Sequence, residues 1–329
     1  MKKIILIALV VITAVTIVVM AKNQETESDA KHKASVQFSW IPSASFAGDV
    51  VGIKKYAKRH GLELTSEFGG PGVNPIQLVV SGQKTFGWAG ADEVLVANEK
   101  GADLVIVGLI HPNPPAGFAS LAGKGIKTPN DLIGKKVGML PFGNLSMIYE
   151  SMLKKNNVNR SGITEITVSS DLKPFLNDTY DVHPIFVYDE SVELDREHGE
   201  YNIIKPEDFG VKDIKGYVYF TNRQTLEQNP EMVQAFVRTM TDGWNDAINN
   251  QAEAIMMLKE IAPEIDVERE REVLKRAIPY FTAYQNQPLN SDYESWSGMV
   301  TELIDAGLIT NSPNLEKILQ FQFINEYYL

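Results

Sequence analysis

The sequence predicts an α/β fold in which a mostly parallel sheet flanked by helices is built twice, on three observations. Over residues 35–109, short apolar stretches of strand length alternate with capped segments of helical length. A proline-rich interruption, HPNPPAGFAS at 111–120, is followed by a second set with the same rhythm. Beyond Thr221 the strand pattern stops and helical segments follow to the end. Alternation of this kind implies parallel strands joined by helices, with ligands at the carboxyl ends of the strands.

The elements follow in order. Val36 and Phe38 alternate with polar residues in a first strand from Ser35 to Trp40. Pro42 and small residues make a loop, and a helix runs from about Gly48 to His60 with Gly61 as its stop. Leu62 to Glu67 is a second strand, and GGPG at 69–72 a sharp turn. Asn74 caps a helix with Pro75 in its first turn. Thr85 to Trp88 is a strand, Asp92 to Lys100 a helix ended by Gly101, and Leu104 to Leu109 a buried strand. Three prolines in 111–120 suit a stiff crossing. Lys136–Leu140, Ile163–Val168, Pro184–Tyr188 and Asn202–Ile204 are the second set of strands, with a helix from about Ser146 to Asn156. Tyr217 to Thr221 is a returning strand. Helices are expected at Pro230–Asn249, Ala252–Glu260, Asp266–Ala277, Ser291–Ala306 and Asn314–Phe321.

Lys2 and Lys3 precede an uncharged apolar run from Ile4 to Ala21, the pattern of a secretory signal. Val19 and Ala21 supply the small residues of a cleavage site, and the run is also long enough for an uncleaved anchor. Residues 1–21 are therefore a signal peptide or an N-terminal membrane anchor, and the polar residues 22–34 a linker. Either way the body lies outside the cytoplasmic membrane, and a periplasmic location is expected. The formal net charge of −11 argues against non-specific nucleic-acid binding, which needs clustered Lys and Arg. There is no cysteine, which removes disulfides, a lipid-anchoring cysteine, thiolate catalysis and thiolate metal sites. The five histidines are scattered without metal-ligand spacing, and no nucleophile motif or nucleotide-binding glycine pattern is present. No cofactor, metal or catalytic residue is expected.

Four segments carry a family likeness. They are VNPIQLVVSGQKTFGWAGADEVLVANEKGADLVIVG (73–108), GIKTPNDLIGKKVGM (125–139), IIKPEDFGV (203–211) and LEQNPEMVQAFVRTMTDGWNDAINNQAEA (226–254). In this order they resemble the periplasmic substrate-binding proteins of ABC importers, in the group that handles alkanesulfonates, taurine and thiamine pyrimidine precursors. The resemblance implies a two-lobed type II periplasmic-binding-protein fold that closes on a ligand like a flytrap. Lobe one would be 35–116 with 220–329, and lobe two 117–219. It also implies a small-molecule ligand and a permease partner in the cytoplasmic membrane; a monomer is expected. Two departures matter. The first loop reads PSASFAGD, without the His or Tyr usual in pyrimidine-binding members. Enzymatic relatives on this fold use a cysteine, which this chain lacks.

Candidate ligand contacts cluster at strand ends and helix starts. Trp40, Ser45 and Phe46 end the first strand and open a helix, where an aromatic can stack on a planar ligand or simply pack. Asp49 either accepts a ligand N–H or biases the first helical turn. Gly70 and its neighbouring glycines allow backbone approach or serve the turn alone. In FGWAGADE, the Asp92–Glu93 pair is expected as N-cap and helix-end charge, with Gly90 and Ala91 at a cleft wall. Asn113 lies at the crossing, beside His111. Phe142, Asn144 and Ser146 open the first helix of the second set, with Asn144 or Ser146 expected as its cap. Tyr188 and Glu190 follow a buried strand at the cleft edge. The segments hold almost no Lys or Arg, which favours a pyrimidine- or flavin-precursor-like ligand over a sulfonate. The alternatives are an exported enzyme on the same fold, with Asp92 and Glu93 as acid and base, and a membrane-tethered accessory or sensor domain.

Overall fold

A computed structural model describes residues 31–70, 72–140 and 143–329. The expected signal or anchor segment, most of the polar linker and Phe142 lie outside the described residues. The strands are β1 His32–Gln37, β2 Leu62–Glu67, β3 Phe86–Gly90, β4 Leu104–Leu109, β5 Ala116–Leu121, β6 Lys136–Met139, β7 Thr164–Thr167, β8 His183–Phe186, β9 Tyr201–Ile204 and β10 Tyr217–Asn222.

Lobe one is a five-stranded sheet in the order β2-β1-β3-β10-β4. β1 pairs in parallel with β2 and β3, while β10 runs antiparallel between β3 and β4. β3 in the middle of the sheet and β4 at its edge are buried along their whole length, as an apolar run such as LVIVGL requires. β1 begins at His32, inside the expected linker. Its polar start is held by the ladder from His32–Leu62 to Gln37–Glu67 and by the His32 N–H donating to Gly61 O at 3.1 Å. Backbone pairing thus overrides the polar composition of that stretch.

Lobe two corrects the expectation of a mostly parallel sheet. β5 is central and antiparallel to both β8 and β9. Only β6 and β7 pair in parallel, joined to the β8 side through a parallel bridge between Val137 and Val182. β5 is also the strand that the proline count hides. Pro112, Pro114 and Pro115 precede it, and the six residues after them form the strand. Missing N–H groups before a strand cost it nothing.

The chain leaves the lobe-one sheet after Leu109 and re-enters it at Tyr217. The two crossings run side by side: Ile110 N–H donates to Tyr217 O at 2.8 Å and Gly216 N–H to His111 O at 2.9 Å. Gly216 is forced to be glycine, because a Cβ there would stand 2.5 Å from His111 Cβ. His111 is fully buried, and burial alone pushes its imidazole down to about 3, so it is neutral at physiological pH. Among the described residues, no helix is long and apolar enough to cross a membrane.

The helix Pro230–Asn249 closes the back of lobe one against the short helix Ala47–Val51, which continues as a wider π-helical turn over Gly52–Tyr56. Contact between them is backbone to backbone. A Cβ on Gly243 would meet Gly48 O at 2.3 Å and Gly52 Cα at 2.5 Å, and neither atom can swing away. Gly243→Ala should therefore destabilise the fold by about 1–3 kcal/mol, the usual cost of overpacking. Urea unfolding with an unchanged midpoint would disprove this.

Candidate functional site

A cleft of roughly 1030 Å³, mouth included, lies between the lobes. Lobe one contributes Ser39, Trp40, Ser43, Ser45 and Phe46 after β1, Gly70 and the Asn74 turn, Trp88 and Ala89 of β3, and Glu93. Lobe two contributes Leu140 and Gly143–Leu145 at the start of the Asn144–Lys155 helix, His183 and Phe186 of β8, and Asp189 with Glu190. Tyr217 completes the wall from the second crossing.

The apolar wall is built by ring packing. Trp88 stacks on Tyr217 at 3.9 Å and 24°, and touches Phe46 at 5.0 Å; Phe46 in turn meets Phe38 and Phe68. Trp88 is rigidly held because β3 is buried, and its Nε1 is a buried donor without a protein partner. Trp40 is half-buried at the end of β1, with part of its surface open. The site therefore combines fixed aromatic faces with one less confined ring.

The polar groups are mainly acidic. Glu93 Oε2 accepts the Gly90 N–H at 3.0 Å, and Glu190 Oε2 accepts the Phe186 N–H at 2.8 Å. Burial, and then the neighbouring Asp92 charge, raises Glu93. Burial, and then the Asp189 charge, pushes Glu190 up to about 8. Asp92, fully buried behind the wall, is raised by burial and partly restored by the Asn144 amide. His183 is pushed down to about 4 by burial, and its Nδ1 pairs with the Tyr180 hydroxyl at 2.7 Å. Among the described lining residues there is no Lys or Arg. No group of His, Asp and Glu among the described residues could hold a metal ion.

The structure brings together Trp40, Ser45, Phe46, Gly70, Asn144 and Glu190 in this cleft. Other expected contacts lie elsewhere. Asp49 is in the core: Tyr219 Oη donates to it, Trp244 Nε1 donates to that hydroxyl at 3.1 Å, and burial lifts Asp49 to about 8. Asp49 lies three residues beyond Phe46 on the helix Ala47–Val51, buried in lobe one and outside the cleft lining. Tyr188 is buried just behind the wall, where its hydroxyl accepts from Ser45 Oγ at 3.4 Å and meets His111 Nε2 at 3.3 Å. Gly90 and Ala91 sit at the lobe contact. A Cβ on Gly90 would approach Asn144 Cβ at 3.1 Å, and Ala91 N–H donates to Gly216 O at 2.8 Å. Asn113 is exposed at the crossing.

Two cap assignments also change. Gly90, not Asp92, is the N-cap of Ala91–Glu99; Asp92 Oδ1 accepts the Glu93 N–H at 3.0 Å. Gly143 is the N-cap of Asn144–Lys155, at φ 104°, and Ser146 Oγ donates to Leu140 O instead. The sequence reading missed Phe186 and Tyr217 as wall residues, and of the adjacent acids Asp189 and Glu190 it favoured Glu190, whereas both line the cleft. Phe186 ends β8 and Tyr217 begins β10, the one signal available.

A family model described as NMT1/THI5 like matches residues 43–254, across both lobes and all of the cleft lining except Ser39 and Trp40. The chain belongs to the NMT1/THI5-like family. It is 23% identical over 288 residues to the formylaminopyrimidine-binding protein of Halalkalibacterium halodurans, covering 85% of this chain and 87% of that one. It is 22% identical over 309 residues to the riboflavin-binding protein RibY of Chloroflexus aurantiacus, covering 89% and 86%. In structure it resembles the alkanesulfonate-binding protein SsuA of Xanthomonas axonopodis pv. citri, solved bound to MOPS. That match has a TM-score of 0.68 at 15% identity and covers 89% of this chain and all of that one. The NMT1/THI5-like chain thus has the periplasmic-binding-protein fold, with its cleft where the two lobes meet.

Glu190 makes stability pH-dependent in a defined direction. Between 4.5 and about 8 the folded chain keeps a proton that the unfolded chain releases, so this group's contribution to stability is lost as pH rises through that window. Glu190→Gln retains an oxygen for the Phe186 N–H and removes the titration. Its melting temperature should gain on that of the parent chain between about pH 5 and pH 8, as the linkage requires. Parallel melting curves across that range would refute the assignment.

Proposed function

We propose that this chain is the extracytoplasmic solute-binding component of an ABC importer, closing two lobes around a small heteroaromatic solute. The observation that carries the proposal is the interlobe cleft itself: stacked aromatics on one side, carboxyl and amide groups on both, and no basic side chain among its described lining residues. A sulfonate is a permanent anion and needs several donors or a cation to replace its water. A planar heterocycle with ring N–H or amino groups instead suits buried carboxyls and ring faces. The names of the two curated relatives, a formylaminopyrimidine-binding and a riboflavin-binding protein, support the same class.

In this reading, Trp40 and Phe46 frame the ring with Trp88 and Tyr217. Glu93 and Asn144 meet its polar edge from opposite lobes, and Glu190 meets it from below. Ligand contact from both lobes is what shifts the population towards closure. Delivery to a permease in the cytoplasmic membrane follows from the importer role, and a monomeric chain suffices for it. An enzymatic role is the competing reading. Asp92 and Glu93 do not suit an acid–base pair on one substrate, because Asp92 is fully buried and only Glu93 lines the cleft.

Calorimetry at neutral pH with formylaminopyrimidine, riboflavin, taurine and a short alkanesulfonate tests the proposal. A heterocycle should bind, and Trp40→Ala should weaken it by up to about tenfold, the worth of one aromatic stack. Binding of the sulfonates alone would overturn the ligand class. Turnover of a bound heterocycle would replace binding with catalysis.

A further inference from the structure

We infer that Arg269, which does not line the cleft, sets the ligand charge that the cleft accepts. This rests on the heterocycle-binding reading and deepens it. Arg269 stands on the helix Val267–Phe281 of lobe one, behind the wall. Its Nη2 donates to Asp189 Oδ1 at 2.5 Å, and its Nη1 to Glu270 Oε1 at 2.6 Å. Glu270 Oε2 accepts the Ala44 N–H at 2.6 Å, at the start of the turn that carries Ser45 and Phe46. One guanidinium therefore joins an acid on the lobe-two wall to the backbone under the lobe-one wall.

The consequence is electrostatic. Three carboxyls line the cleft, Glu93, Asp189 and Glu190, and no described cation lines it with them. Asp189 is about 85% buried, with a side-chain exposure of 15%, so its charge is poorly screened by water. Arg269 occupies Asp189 and cancels that charge. Glu190, buried beside Asp189, is raised by loss of water first and by the Asp189 charge second, and Arg269 opposes that rise. The cleft so arranged suits a neutral ring with donors and acceptors. Without Arg269, Asp189 would face the cleft as an uncompensated anion, and the site would prefer a cation.

Thiamine, a cation, and formylaminopyrimidine, which is neutral, share a pyrimidine ring and are the probes. In Arg269→Met, the affinity ratio of thiamine to formylaminopyrimidine should rise at least tenfold over the parent chain. Arg269→Lys should leave it within threefold. Arg276→Met, on the same helix but paired with Asp195 and Glu272, should leave it unchanged. Asp189→Asn, which leaves the guanidinium paired with Glu270 alone, should move the ratio the other way, and it tests the claim even if Arg269→Met does not fold. Equal losses for both probes would show a structural role only and overturn the inference. If the parent chain takes neither probe, a pyrimidine ligand is ruled out, and tryptophan quenching decides the charge claim separately. Caesium should then quench Arg269→Met more than the parent chain relative to iodide, and an unchanged caesium-to-iodide ratio would overturn it.

Discussion

The structure depends on the pairing of its two crossings. β10 enters the lobe-one sheet between β3 and β4, which sets Tyr217 beside Ile110 and Gly216 beside His111. Their hydrogen bonds leave both connections at one line beneath the cleft. From that line the site is assembled upward. Gly216 O accepts the Ala91 N–H and so fixes the start of the Ala91–Glu99 helix, which presents Glu93. Tyr217 offers its ring to Trp88. His111, neutral because it is buried, fills the space between the crossings and reaches Tyr188. Two connections held side by side at one line are what a hinge for clamp-like binding requires.

The second theme is the cost of burying acid. Asp49, Asp92, Glu93 and Glu190 are all raised, and in each case loss of water is the first cause. Hydrogen bonds from backbone and from Tyr219 or Asn144 offset only part of that loss. Such groups persist where structure over-determines them. Asp49 is tied into a core network with Tyr219 and Trp244, whereas Glu93 and Glu190 open onto the cleft. The same physics thus makes one acid structural and two others available to a ligand.

Much of the fold was legible in the sequence, because strand and helix periodicities and glycine stops are local signals. Asn74 with Pro75 marked a helix start, and Asn74 Oδ1 does accept the Gln77 N–H. The failures came where a distant partner decides. β1 starts early because β2 lies beside it. β5 hides behind three prolines because its hydrogen bonds come from β8 and β9, more than sixty residues away. The Asp92 and Asn144 caps failed because glycines took both N-cap positions. In the site, Trp40, Ser45, Phe46, Asn144 and Glu190 could be reached from strand-end and helix-start logic. Asp49 could not be sorted from them, since its place in the core is set by Tyr219 and Trp244, far away in the chain.

By itself the sequence determined the α/β alternation, the absence of thiol chemistry and the acidic, aromatic character of the segments that meet at the cleft. Those properties reside in residue type and short-range spacing. Only the tertiary structure decided which acids face the cleft, that Arg269 reaches Asp189 across the lobe boundary, and that the second lobe is largely antiparallel. Each of these depends on contacts between residues far apart in the chain. Their geometry follows from the packing of whole strands and helices, and no local pattern encodes it.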